Sequence, residues 1–357
     1  MIDGDAVVYC AGAFRTTFGK TAHGLVRFTE RYRVRAVIDP DCAGEDAGTV
    51  LDGRPAGIPI VANLSDALQV ARGGHGDNRP SYFVIGIAPD GGVVTPPMRA
   101  AVREALEAGL SVDSGLHEFF SDDADLSRLA AQRGLTIRDV RKTPPRTELH
   151  SFSGRIETVD AVRVAVLGTD SAIGKRTTAW ILVHALQQAG FATEMIGTGQ
   201  TAWMQGARYG TILDSLINDF VAGEIEHAVV SAWEREHPRV LVLEGQGSLM
   251  NPAYPGGFEL LAAGRPHAVI LQHAPARLEY DGFPGYPIQP LPVQIQAIEL
   301  ISGRPVVAVT VNHEGLDETE TNVACRAITE QTGLPACDPI RHGVEAVVET
   351  LRERYLR

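Results

Sequence analysis

Short runs of Val, Ile, Leu and Ala, almost free of charge, recur along the chain and alternate with stretches whose apolar residues fall at helical spacing. In the first half the runs Ala6–Tyr9, Val34–Ile38, Ile58–Val61 and Tyr82–Ile87 predict strands. Turn signals such as Gly12, Asp39-Pro40 and Pro89-Asp-Gly-Gly92 punctuate them, and helical patterns cover Leu64–Arg72 and Pro97–Ala108. Strands without polar alternation are buried on both faces, so this order predicts a parallel sheet clothed by helices. Residues 1–145 are therefore read as a Rossmann-like domain. The paired prolines of Thr143-Pro-Pro-Arg-Thr-Glu-Leu-His150 resist helix and central strand alike and mark a linker. Beyond it, Ala161–Leu167, Ala192–Ile196, Val240–Leu243, Ala268–Leu271 and Val306–Val311 predict a second parallel sheet, with helices at Gly174–Ala189 and Glu345–Arg357. Residues 151–357 form this second domain.

Composition narrows the function classes. The net charge of −12 comes without a basic stripe, so no nucleic-acid partner is expected. No apolar run is long enough for a membrane span, and the N-terminus lacks a signal-peptide pattern. Cys10, Cys42, Cys325 and Cys337 are scattered, with no CxxC or Cys/His cluster. Reduced thiols in the cytoplasm and no metal site are the simplest expectation. A homo-oligomer is expected only because oligomers are common.

The first chemical signal follows the strand Ala161–Leu167. Gly168, Thr169, Asp170, Ser171, Ala172, Ile173, Gly174, Lys175, Arg176, Thr177 and Thr178 read as a phosphate loop leading into a helix. Backbone amides and the helix N-terminus would hold phosphate oxygens, and Lys175 would add a point charge. The fold expected is thus α/β in two domains, a Rossmann-like parallel sheet followed by a P-loop NTPase-like parallel sheet. Five residues separate the glycines instead of the usual four. Arg176 stands where a Ser or Thr normally binds Mg²⁺. Either Thr177 shifts to serve the metal, or the metal site is lost and a pyrophosphate cofactor such as coenzyme A is held without it.

Further candidates sit at strand ends, where ligands of open α/β sheets collect. Glu244, in Glu-Gly-Gln246-Gly-Ser248, is a metal ligand, a general base or a helix cap. His273 is a base, a hydrogen-bond donor or a cap. Thr198, Gln200 and Thr201 suit a small polar substrate, and Arg208 or Arg277 suits a substrate carboxylate. Asn312-His-Glu314 ends another strand. Lys20-Thr-Ala-His-Gly24 is polar and is read as structural, with the lining of a cleft as the alternative. The first domain carries no GxGxxG, which argues against a nicotinamide oxidoreductase.

Gly168-Thr-Asp…Gly174-Lys175 with Glu244-Gly245 resembles dethiobiotin synthetase over the second half. A fuller resemblance rests on Lys20–Arg27, Ile85-Gly-Ile-Ala-Pro89, Gly115-Leu-His117, Gly168–Thr178, Thr198-Gly-Gln-Thr201, Glu244–Ser248 and Asn312-His-Glu-Gly315. Over nearly its whole length the chain is similar to a two-domain family whose best understood type is a D-glutamate N-acetyltransferase. The resemblance implies acetyl transfer from acetyl-CoA to the amino group of an amino acid, D-glutamate or a related acidic one. Lys175 and Arg176 would then pair with cofactor phosphates, and Glu244 or His273 would act as base. Substrate contacts would come from Thr198, Gln200, Thr201, Arg208, Gln246, Ser248 and Arg277. The rival is an ATP- and Mg²⁺-dependent ligase or kinase acting on a small carboxylic acid, with Thr177 and Glu244 or Asp170 at the metal. A third reading is a nucleotide sensor without turnover.

Overall fold

The strand Gly4–Tyr9 (β1) shows how the first sheet is built. Val7 and Tyr9 pack into one apolar core, whereas Ala6 and Val8 pack into another on the opposite face. A strand with two buried faces has no use for polar alternation. The computed structural model describes residues 2–73 and 79–357. In chain order, β1 is followed by α1 (Lys20–Arg27), β2 (Tyr32–Ile38), α2 (Ala47–Asp52), β3 (Ile60–Val61) and α3 (Leu64–Gly73). Then come β4 (Tyr82–Ile85), α4 (Pro96–Glu107), β5 (Ser111–Ser114), α5 (Ala124–Gln132) and β6 (Ile137–Asp139). The strands pair in parallel in the order β3-β2-β1-β4-β5-β6. That is the Rossmann order.

Two strands of this sheet have no apolar run. In Ser-Val-Asp-Ser of β5 and Ile-Arg-Asp of β6 only Val112 and Ile137 meet the apolar core, and a charge cluster adds to them. Asp113 is fully buried and accepts from both the Nε and Nη2 of Arg138 (2.5 and 2.6 Å) and from the hydroxyl of Tyr32 (2.5 Å). A bidentate Arg–carboxylate pair with a third donor satisfies the buried charge.

The second sheet begins at β7 (Val162–Gly168). It continues through α6 (Lys175–Gln188), β8 (Thr193–Gly197), α7 (Gln200–Gln205), β9 (Tyr209–Gly210), α8 (Asn218–Glu236) and β10 (Val240–Glu244). The rest is α9 (Phe258–Ala262), β11 (Ala268–His273), α10 (Leu291–Ser302), β12 (Val306–Val311), α11 (Glu318–Thr332), β13 (Ala336–Cys337) and α12 (Glu345–Tyr355). The order is β13-β12-β11-β7-β10-β8-β9, again all parallel, with β7 at the centre. Among the described residues no helix is long and apolar enough to cross a membrane.

The chain divides into two units, and the division is not a single cut. One unit is Met1–Pro144 with Gln200–Gly206, the other Pro145–Gly199 with Ala207–Arg357. The helix α7 therefore belongs with the first sheet although its sequence lies among the strands of the second. Its Met204 is fully buried in the core that also holds Ala6, Val8 and Ala22. Gln205 donates to the carbonyls of Gly24 (2.8 Å) and Phe28 (2.9 Å), and the Thr201 and Thr21 hydroxyls meet at 3.0 Å. Arg31 stacks on Trp203, 3.8 Å from the ring centre, and donates to its carbonyl. The polar stretch Lys20–Gly24 thus lies on α1, where Thr21 and the Gly24 carbonyl receive α7.

Candidate functional site

The central strand β7 is buried through Gly168, where the chain turns into the loop. A Cβ at Gly168 would lie 2.8 Å from Cδ of Lys175, so only glycine lets the lysine pass beneath the loop. At the far end Gly174 adopts φ +94°, a conformation L-residues resist. It is the N-cap of α6 and offers no side chain to the first-turn amides. Those amides, with the positive end of a 14-residue helix behind them, are a candidate anion cradle.

Lys175 is buried and its Nζ donates to the Asp170 carbonyl (2.6 Å). Burial pulls its pKa down to about 8; Asp170 and Glu244 oppose the shift and Arg277 adds to it. Glu244 closes β10, the strand beside β7, in register with Val166. Its carboxylate accepts from the Thr198 amide (2.8 Å), and the Thr198 hydroxyl donates to the Glu244 carbonyl (2.9 Å). Burial raises its pKa, against the pull of Arg176, Thr198 and Lys175. One dry environment therefore pushes a lysine and a glutamate toward their neutral forms. His273 ends β11, its Nδ1 3.0 Å from the Thr169 hydroxyl. Burial lowers its pKa to about 4, so the ring is neutral at physiological pH.

Lys175 and Arg176 lie close enough to Glu244 to lower its pKa, Thr198 holds that carboxylate, and Thr169 meets His273. The fully buried carboxylate of Asp170 is taken up within the protein: it accepts from the Ser171 and Asp281 amides, Asn251 and Arg277. Arg277 is taken up by Asp170, the Ser171 carbonyl and Glu314, so it is a loop clamp rather than a receptor for a substrate carboxylate. Arg208 sits at the surface, paired with Glu194 and Glu236. Gln200 and Thr201 belong to the first unit. Gln246 donates to the Thr198 carbonyl (2.6 Å) and so braces the residue that holds Glu244. The Ser248 hydroxyl is buried and has no hydrogen-bond partner among the described residues.

Within the loop, Ile173 is buried and its carbonyl accepts from Asn312 (2.9 Å). Ala172 holds φ +51°, an uncommon conformation for a residue with a Cβ. The Thr178 hydroxyl donates to Gln272 (2.6 Å), which also accepts from Thr310 (2.5 Å). Gln272, Asn312, Asn251 and Asp281 thus support the loop. Asn312 was visible as a strand-end polar residue, and Gln272 lies next to His273 in β11; Asn251 and Asp281 lie in loops and carried no signal. His313, beside Asn312, pairs with the buried Asp338 (2.5 Å).

A phosphate loop after the central strand of one parallel sheet, in a chain whose other sheet has the Rossmann order, defines a two-domain P-loop and Rossmann-like α/β protein. Comparison with known families agrees. Residues 150–348 match the "Domain of unknown function (DUF1611_C) P-loop domain", and residues 40–143 the "Domain of unknown function (DUF1611_N) Rossmann-like domain". The chain belongs to the DUF1611 family. It is 32% identical over 275 residues to a D-glutamate N-acetyltransferase of Tritonibacter scottomollicae, covering 75% of this chain and 80% of the relative. A protein of the same name from Pseudoalteromonas sp is 29% identical over 276 residues, with the same coverage of 75% and 80%. A crystal structure of a DUF1611 family protein from Anabaena variabilis ATCC 29413 superposes with a TM-score of 0.89 at 32% identity, over 99% of this chain and 100% of that one.

Proposed function

We propose that the protein is an N-acetyltransferase that moves an acetyl group from acetyl-CoA to the amino group of D-glutamate or a related acidic amino acid. The observation that carries this reading is the donor set around Lys175. A candidate anion cradle is present, but the groups that would hold Mg²⁺ in a nucleotide hydrolase do not fit the metal. The second helical position is Arg176. Thr177 is one residue on, rotated by about 100° around the helix. The Thr178 hydroxyl is bound to Gln272, and the Asp170 carboxylate is fully engaged. Such a site suits a pyrophosphate that arrives without a metal. The amides of the loop, Lys175 and Arg176 would hold it.

When bound, the coenzyme supplies a thioester carbonyl, whose C–S bond is exchanged for an amide C–N bond with release of the thiol. Glu244 is the base that takes the proton from the acceptor ammonium; its buried carboxylate is raised toward the basicity this needs. His273, with its pKa lowered to about 4, is a poor base at neutral pH and serves as a neutral hydrogen-bond partner. The acceptor class is taken from the names of the relatives.

The test uses the full chain with acetyl-CoA and D-glutamate, L-glutamate or D-aspartate, following thiol release and the N-acetyl product by mass spectrometry. Product with an acidic D-amino acid, undiminished by a chelator, is expected. Mg²⁺-dependent ADP formation with an acid substrate, and no thiol release with any acceptor, would replace this reading with the ligase.

A further inference from the structure

The carboxylate of Asp170, in the phosphate loop, is fully buried and accepts four hydrogen bonds. Oδ1 accepts from the Ser171 amide (2.7 Å) and from Asn251 Nδ2 (2.8 Å). Oδ2 accepts from Arg277 Nη1 (2.8 Å) and from the Asp281 amide (2.9 Å). The same residue's carbonyl receives Lys175 Nζ at 2.6 Å. Two of the partners are themselves clamps. Arg277 Nη1 also holds the Ser171 carbonyl (2.9 Å), and Asn251 Oδ1 accepts from the amides of Ala253 and Tyr254 (2.9 and 2.8 Å). One side chain thus joins the phosphate loop to the segment after β10 and the segment after β11. All four donors sit on a side chain that is 0% exposed, and four is about the number of lone-pair sites a carboxylate has.

We propose that Asp170 is a positioning residue that fixes the shape of the phosphate loop, with Arg277 and Asn251 as its working partners. The inference rests on Gly168–Thr178 being a phosphate loop, and deepens that reading.

Charge and geometry make opposite predictions here, which makes the idea testable. A carboxylate beside bound phosphate repels it, so electrostatics alone says that Asp170→Asn binds phosphate more tightly. As a positioning residue Asp170 has the reverse effect. An amide nitrogen at either site faces donors, two hydrogen bonds are lost and the loop relaxes. Arg277→Lys is the companion variant: it keeps the charge and loses the planar guanidinium whose Nη1 holds Asp170 and Ser171 while Nη2 holds Glu314.

The full chain and both variants are titrated with metal-free inorganic pyrophosphate and with CoA by calorimetry. Turnover is then compared with acetyl-CoA and with a phosphate-free acetyl thioester such as S-acetyl-N-acetylcysteamine. The expected result is about tenfold weaker pyrophosphate and CoA binding in D170N, and a smaller loss in R277K. Turnover of the phosphate-free thioester should fall less than turnover of acetyl-CoA. Equal or tighter binding in D170N overturns the proposal. So does an equal loss with both acyl donors and a lower melting temperature, which marks a merely structural residue. If the wild type binds pyrophosphate but not CoA, the acetyltransferase reading falls and the pyrophosphate titration of D170N still decides this one. If it binds neither, both fall.

Discussion

Lys175 and Glu244 are driven in opposite directions on the pKa scale by the same loss of water, and each shift has a consequence in solution. Burial pulls Lys175 down to about 8, with Asp170 and Glu244 opposing the shift and Arg277 adding to it. Bound phosphate stabilises the ammonium and raises that value, so binding takes up a proton near and above pH 8. The affinity for CoA should be flat below about pH 7 and fall as pH rises past 8. Calorimetry in two buffers of different ionisation heat would read the proton directly. A pH-independent affinity, with no proton taken up, would show that Lys175 does not touch phosphate. For Glu244 the active form is the carboxylate, so activity is lost as pH falls through its raised pKa. The acid limb of kcat/KM should therefore lie above the ordinary carboxylate range. Glu244→Gln should lower kcat by about 100-fold or more while CoA binding persists. Equal losses in kcat and affinity would make Glu244 a structural anchor for Thr198 instead.

At the scale of elements, what the sequence showed depends on how each element is held together. Strands β1, β7, β10, β11 and β12 are largely buried apolar runs and were legible as such; β2 was legible from its buried end, Ala36–Ile38. The strands β5 and β6 were not, because Asp113, Arg138 and Tyr32 add a charge cluster that no periodicity reveals. The loop between β7 and α6 was legible from its glycines and lysine. The inward aim of Asp170 was not, since spacing says nothing about which way a side chain turns. Nor could local pattern assign α7. Its partners lie up to 181 residues away in sequence, and the Thr21–Thr201 contact spans 180. The hydrogen bonds of α7 give a stability prediction. Gln205→Leu removes the two N–H donors that meet the Gly24 and Phe28 carbonyls, the first of which keeps the Phe28 amide. The cost should be about 1–3 kcal/mol, read as a lower denaturant midpoint at unchanged slope. A variant that unfolds at the wild-type midpoint would mean that α7 is held by its apolar contacts alone.

For the whole molecule, the chain leaves the first unit at Pro144, returns at Gln200 and leaves again after Gly206. A single cut at the linker therefore does not yield two complete units. A fragment of residues 1–144 lacks Met204, which is fully buried in the core beside β1, and lacks the donors that meet Gly24 and Phe28. Emptying a buried methionine site costs about 2–5 kcal/mol, and the lost hydrogen bonds add to it. That is a large part of the 5–15 kcal/mol or so that keeps an ordinary domain folded. The fragment 1–144 should accordingly melt broadly or not at all by circular dichroism. The same fragment carrying residues 200–206 on a flexible Gly/Ser linker should recover a sharp transition, provided the linker lets α7 reach α1. Replacing Met204 by Asp in that fusion should abolish the recovery, which separates true docking from the effect of a longer tail. A sharp transition for 1–144 alone would show that the first unit is complete without α7. In that case Lys20–Gly24, whose Thr21 and Gly24 are accounted for by α7, would again need a reason for its polarity.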